Sequence, residues 1–301
     1  MHLAIVIPAY KSTFLSAALD SIAAQTCKDF TLYIGDDCSP NDLKSIVDNY
    51  TDKINIVYKR FDKNLGGRDL VAQWERCIDM TQGEEWLWLF SDDDVMDSHC
   101  VEEFYKCHKR HSQEGLFHFN INEIDFNGKL IKKLAPWPDF ITPKQFLDNK
   151  TLGKAPTFVV EFIMRYSLFI KQGRFQNFDL AWGSDYITWL KLSDANGGIR
   201  TIKTPRISWR GSGENISNDF SQQVIFRKMR AMFRTVKYVT DFAESHHYGR
   251  FWFYGKFALG EARRNRKYLS KQQMKELAKD YNEVNGFHFP LTLISKILFR
   301  K

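Results

Sequence analysis

The chain has 301 residues, 44% hydrophobic and 26% charged, which is enough for one large domain or two small ones with a sizeable core. The five cysteines (Cys27, Cys38, Cys77, Cys100 and Cys107), an odd number without a C-x-x-C pair, argue against a disulfide framework and a structural zinc site, and fit a reducing compartment. The net charge of +7 is uneven: residues 221–301 carry 17 Lys and Arg against 6 Asp and Glu, leaving 26 against 30 for residues 1–220. That basic stretch reads either as a solvated helical face or as a surface meeting anionic lipid or a phosphate-bearing substrate.

In chain order, HLAIVIP is a short apolar run that stops at Pro8, a buried strand rather than a signal peptide. SAALDSIAAQT has helical spacing after Ser12 as candidate N-cap. FTLYIGDD is strand-like, NDLKSIVDNY helical and INIVYKR a strand; GRDLVAQWERCIDMTQG is a helix with Gly83 as its expected stop, and EWLWLFS is a fourth strand. Strands alternating with helices imply βαβ units and a parallel sheet covered on both faces, with ligands beyond the carboxyl ends of the strands. Two of those ends are acidic: Asp36 and Asp37 after FTLYIG, and Asp92, Asp93 and Asp94 after LWLFS.

Beyond this the pattern changes. LFHFNINEID and GKLIKKL read as a hairpin around Asn127 and Gly128, TPKQFLDN as a short helix, and TFVVEFIMRYSLFI as a buried segment of unsettled type. GSDYITWLKLSDANGG is an amphipathic helix closed by Gly197 and Gly198, and the chain from about Asn218 reads as helices. No apolar run reaches the ~18 residues of a spanning helix.

Three adjacent carboxylates repel one another, so Asp92, Asp93 and Asp94 are either solvated, with Asp94 or Asp97 favouring a following helix, or neutralised by a cation. Mg²⁺ and Mn²⁺ favour oxygen ligands, and Mg²⁺ is usually held by one or two carboxylates plus substrate phosphates. The chain has no G-x-x-x-x-G-K-[ST], no G-x-G-x-x-G after the first strand and no EF-hand loop, which argues against P-loop, Rossmann dehydrogenase and EF-hand readings. His246 and His247 are adjacent on a predicted helix and do not share a face, so they offer no metal site.

IVIPAY, the QT of SIAAQTCKDF, LYIGDDCSPND, KNLGG and QWERCIDMTQGEEWLWLFSDDD occur in the order and spacing of family 2 glycosyltransferases; IMRYSLFIKQGRF followed by GSDYITWLKL resembles the acceptor-side half of that family. The resemblance spans roughly residues 1–217 and implies a GT-A fold, with a mostly parallel Rossmann-like sheet flanked by helices on both faces. It divides the catalytic domain into a nucleotide-binding half, residues 1–112, and an acceptor-side half, residues 113–217, before a basic helical segment, 218–301. It further implies a nucleotide-sugar donor, a UDP-sugar by preference, with Pro8, Tyr10, Asp36, Asp37, Arg68, Arg76, Asp92 and Arg210 on the donor side. Asp37 matches the family's base-binding aspartate. The family's D-x-D element falls on Ser91, Asp92 and Asp93, which makes Asp93 the first metal ligand for Mn²⁺ or Mg²⁺ and Asp94 either a second ligand or a helix cap.

By the same resemblance Asp185 is the general base of an inverting single displacement, the competing expectation being that it only N-caps its helix. Ser212 stands where the family carries a histidine, and Trp182 either stacks on a sugar or fills the core. The acceptor is expected to be a glycan or a lipid-linked hydroxyl, in cell-surface polysaccharide synthesis. No nucleic-acid partner is expected; anionic membrane and a second copy of the chain are candidate partners. The expected location is cytoplasmic, with the C-terminal GFHFPLTLISKILFRK peripheral at the inner face of the membrane. Two other readings are a nucleotidyltransferase that makes the sugar nucleotide, although IPAYKSTFL lacks the usual Gly-rich basic loop, and a sugar-nucleotide-binding protein without catalysis.

Overall fold

A computed structural model describes residues 2–151, 156–213, 215–248 and 255–285. Its centre is one mixed sheet. β1 (Leu3–Ala9) lies between β2 (Phe30–Asp36) and β4 (Trp86–Leu89), with β3 (Ile56–Arg60) beyond β2, and all four run parallel. β9 (Phe162–Arg165) is inserted antiparallel between β4 and β6 (Leu116–Ile124), and β10 (Ile199–Arg210) pairs parallel with β6. β5 (Val95–Met96), β7 (Leu130–Lys133) and β8 (Phe140–Ile141) add short antiparallel pairs. The sheet is thus mostly parallel, as expected, with antiparallel insertions in its second half.

Period-two alternation divides the core. Leu3, Ile5 and Ile7 of β1, with Trp86 and Trp88 of β4, face α1 (Leu15–Ala23), α2 (Leu43–Asp48) and α4 (Cys100–Arg110). Ala4, Val6, Leu87 and Leu89 face the other way, into a core with α3 (Leu70–Ile78), α5 (Pro143–Thr151), α6 (Tyr166–Lys171) and α7 (Ser184–Asn196). Ala231, Val239, Phe242 and Ala243 of α8 (Gln222–Ser245) join this second core. The opposite side of α8 packs on α9 (Gly255–Asn265) and α10 (Lys271–Asn285) through Phe233, Leu277 and Tyr281. One helix therefore ties the basic C-terminal segment to the sheet.

Several local expectations are corrected. α1 begins at Leu15 with Phe14 at its N-cap, and Ser12 contributes only its carbonyl, which accepts from Leu15 N at 3.3 Å. α3 stops at Ile78 rather than running to Gly83. Neither Asp94 nor Asp97 caps α4, whose N-cap is His99; the Asp97 carboxylate instead accepts Arg206 N at 2.9 Å. The unsettled segment TFVVEFIMRYSLFI becomes a short 3-10 turn, β9 and α6 in succession. All five cysteines are free, and no helix among the described residues is long and apolar enough to cross a membrane. The C-terminal GFHFPLTLISKILFRK lies outside the described residues.

Candidate active site

Because β1, β2 and β4 are parallel neighbours, the segments that leave their carboxyl ends meet at one edge, where a cavity of about 870 Å³ opens. Pro8, Tyr10 and Lys11 line it from β1, Asp37 from β2, and Ser91, Asp92, Asp93 and Asp94 from β4. The far wall comes from Lys150, from Leu180 to Gly183, from Asp185 and Tyr186, and from Met232, Thr235, Val236 and Val239 of α8.

The three aspartates after β4 have distinct partners. Asp92 Oδ2 accepts Tyr10 N at 2.8 Å and Lys11 N at 2.9 Å, so it fixes the loop after β1. Asp93 Oδ1 lies 2.9 Å from Ser91 Oγ, and its Oδ2 is 4.0 Å from Lys11 Nζ. Asp94 accepts Arg210 N at 2.7 Å on one oxygen and lies 2.7 Å from Ser91 Oγ on the other. A hydroxyl has one proton to donate, so Ser91 bridges both carboxylates only if one of them is itself protonated. Burial raises the pKa of Asp92 to about 6, that of Asp94 well up and that of Asp93 in the same direction; neighbouring carboxylates raise Asp92 and Asp94 further. Lys11 and Arg210 oppose part of this shift at Asp93.

No three His, Cys, Asp or Glu side chains gather as a metal cage among the described residues. A Mg²⁺ or Mn²⁺ ion, if bound here, would be held by Asp93 or Asp94 of the cavity lining, with substrate phosphate and water completing its shell. Asp94, the expected alternative second ligand, also lines the cavity, with one hydrogen bond on each carboxylate oxygen and lone pairs to spare. Ser212, at the histidine position, donates to Asn215 Oδ1 at 2.6 Å.

On the donor side the structure divides the expected residues. Asp37 accepts Leu65 N at 2.6 Å and Gly66 N at 2.8 Å and pairs with Arg76, so it clamps the NLGG loop beside the cavity. Asp36, expected beside it, is turned away: its carboxylate accepts Ser39 N, Tyr58 Oη at 2.6 Å and Arg60 Nη1 at 2.8 Å, and it does not line the cavity. Neither residue caps α2; that cap is Asp42. Arg76 reaches the site only through Asp37, and Arg68 is exposed on the loop before α3, outside the cavity. Arg210 is 4% exposed and likewise does not line the cavity: its guanidinium donates to the carbonyls of Asp93, Asp125 and Phe126 at 2.8–3.1 Å. In this arrangement it braces the acidic cluster from behind.

Across the cavity, Asp185 sits in the first turn of α7, whose N-cap is Gly183 with no side-chain bond. Asp185 is thus not the N-cap residue itself, although its carboxylate accepts the backbone N–H groups of Tyr186 and of Asp185 in that first turn. Its pKa is raised by burial and drawn back down by the Lys150 ammonium. Lys150 Nζ donates to Thr157 Oγ1 at 2.8 Å and lies 5.6 Å from the Tyr186 ring centre; its own pKa is lowered by burial. Trp182 lines the cavity between them and α8, with Lys228 Nζ 4.8 Å from its ring centre. The approach to Asp185 is unusual in backbone terms, because Leu180 (φ 58°), Ala181 (φ 54°) and Gly183 (φ 90°) are all left-handed. A β-carbon on Gly183 would stand 2.5 Å from Thr235 Oγ1, so this turn requires glycine for space as well as for dihedral angle.

Sequence reasoning missed Lys11, Lys150 and the whole α8 wall. Lys11 had a signal, a cation directly after the first strand. Lys150 and α8 had none, since a lysine in a short helix and an amphipathic basic helix both read as solvated.

Residues 4–169 match the family profile described as "Glycosyl transferase family 2". A search of the curated proteins found no match. Among solved structures, the crystal structure of S. aureus TarS 1-349 in complex with UDP-GlcNAc superposes with a TM-score of 0.62 at 14% identity, covering 95% of this chain and 90% of that one. The same fragment in complex with UDP gives 0.58 at 16% identity with the same coverage. S. aureus TarS gives 0.59 at 15% identity, with 55% of that chain covered. At these identities the likeness is one of fold.

Proposed function

Because this chain belongs to glycosyl transferase family 2, we propose that it moves a sugar from a nucleoside diphosphate sugar, a UDP-sugar by preference, onto an acceptor hydroxyl in this cavity. The observation that carries the reading is that Asp37, Asp92 and Asp93, from two strand ends, and Asp185, from the facing helix, all line one cavity at the carboxyl edge of the sheet. UDP-GlcNAc bound to the S. aureus neighbour of like fold supports the choice of donor class.

In this reading Asp37 receives the base; its two oxygens offer about four lone-pair sites, so a further N–H fits beside the three donors it already has. Asp92 holds the Tyr10–Lys11 backbone against the donor, and Lys11 lies toward the diphosphate beside Asp93. Asp93 is the protein ligand of a divalent cation, which when bound supplies positive charge for the departing diphosphate. Asp185 takes the proton from the acceptor hydroxyl. The acceptor oxygen bonds to the anomeric carbon as the bond to the diphosphate oxygen breaks, giving inversion in a single displacement. Lys150 is a positioning residue that favours the carboxylate form of Asp185. The acceptor is a glycan or a lipid-linked hydroxyl of cell-surface polysaccharide synthesis.

The test is transfer and donor hydrolysis with Mn²⁺ across a panel of sugar nucleotides. Turnover of a UDP-sugar that falls on chelation is the expected result. Synthesis of a sugar nucleotide from a nucleoside triphosphate, or tight donor binding without turnover, would contradict the reading.

A further inference from the structure

The β6–β7 hairpin carries a surface that the catalytic reading does not use. Residues 126–133, FNGKLIKK, are eight consecutive exposed positions holding three large apolar side chains, three lysines and no acid. Phe126 is 50% exposed, Leu130 46% and Ile131 58%, and they make up half of the exposed large apolar side chains among the described residues. The hairpin is well anchored. Asp125 Oδ1 accepts Asn127 N and Lys129 N, Phe126 meets Phe14 edge-on with 4.9 Å between ring centres, and Arg210 Nη1 binds the Asp125 and Phe126 carbonyls. Arg210 also binds the Asp93 carbonyl, so one guanidinium separates the turn from the acidic end of the cavity.

Lysines on an edge strand are a common guard against strand-to-strand association, but that does not account for Leu130, Ile131 and Phe126 left in water beside them. Pairing of β7 with a second copy would gather Lys132 and Lys133 of each chain at one seam with no acid on either strand. A surface that takes up both chemistries is an anionic bilayer, where apolar side chains enter the headgroup boundary and ammonium groups meet lipid phosphates. Across the hairpin Lys132 stands opposite Glu123 and Lys129 opposite Asp125, whereas Lys133 stands opposite Asn122. Residues 1–220 are net acidic, so this basic patch is local and not part of a general positive field.

We propose that the β6–β7 hairpin docks the protein on an anionic membrane surface, with Phe126, Leu130 and Ile131 as the inserted side chains and Lys129, Lys132 and Lys133 as the headgroup contacts. Docking there sets the acidic end of the cavity beside the bilayer. The proposal concerns binding alone and stands whether or not the transferase reading holds.

Vesicle flotation of the full chain tests it, comparing neutral phosphatidylcholine with phosphatidylcholine containing phosphatidylglycerol. The chain is expected to float with anionic vesicles only, less so at high salt. Leu130→Ser/Ile131→Ser and Lys129→Gln/Lys132→Gln/Lys133→Gln are each expected to weaken partitioning about tenfold or more, with melting unchanged. Failure of the intact chain to bind overturns the proposal. So does full binding by both variants, which puts the contact elsewhere, or a hairpin-dependent dimer that binds no vesicles.

Discussion

Asp185 is partly buried, and burial raises its pKa against the opposing pull of the Lys150 ammonium. A base works only when deprotonated, so transfer rises with pH through the pKa of Asp185. Lys150→Met removes the charge that favours the carboxylate; the pKa climbs further and the acid limb of kcat/KM moves to higher pH. Lys150→Arg keeps the charge and should leave the limb close to its original place. A pH profile of the three proteins checks this, and an unmoved limb in Lys150→Met contradicts the coupling. At this scale the sequence placed Asp37, Asp92, Asp93, Asp94 and Asp185 on the cavity, because a strand end or a helix start announced each one. It did not show that Asp36 and Arg210 stay off it or how the Asp94 carboxylate is held. Their positions also lie at strand ends, but which way each side chain turns is decided by Tyr58, Arg60, Ser91 and the Asp125–Phe126 carbonyls, which come from other elements.

The turn that delivers Asp185 is the element most open to a direct test. Left-handed backbone costs on the order of 1–3 kcal/mol where the residue is not glycine, and the turn already carries Leu180 and Ala181 in that region. Gly183→Ala adds the same penalty together with the 2.5 Å approach to Thr235 Oγ1, whereas at Gly173 (φ 79°) an added β-carbon meets nothing within 4 Å. Gly183→Ala is therefore expected to lower Tm clearly more than Gly173→Ala and to lose transfer as well. Equal melting of the two would mean that α8 does not constrain the turn. Element type was readable from periodicity in α8; α7 is a helix as expected, but it is buried on nearly every side, from Ser184 and Tyr186 to Leu192 and Ser193, and is not amphipathic. TFVVEFIMRYSLFI was not readable, because β9 is inserted between β4 and β6 and is apolar on both faces, which erases any period. The role of α8 was hidden for a related reason: one side meets the sheet core and the other meets α9 and α10, so its basic composition describes only what remains outside.

For the whole molecule, the alternation of the first four strands was enough to place the acidic ends on one edge, since parallel neighbours must share a direction. The depth of the cavity was not available in the same way: its far wall comes from Lys150, from residues 157–160 and 180–186, and from α8, which the paired Arg227 and Asp179 side chains tie to the turn before α7. The account stands on a cavity in which donor-side carboxylates face one base across the reacting centre. Transfer by Asp185→Asn, measured beside donor affinity by calorimetry, addresses that directly. The expected result is a fall in kcat of about 10²–10⁴-fold with donor binding unchanged. Near-normal transfer by this variant, with the donor still bound, would contradict it.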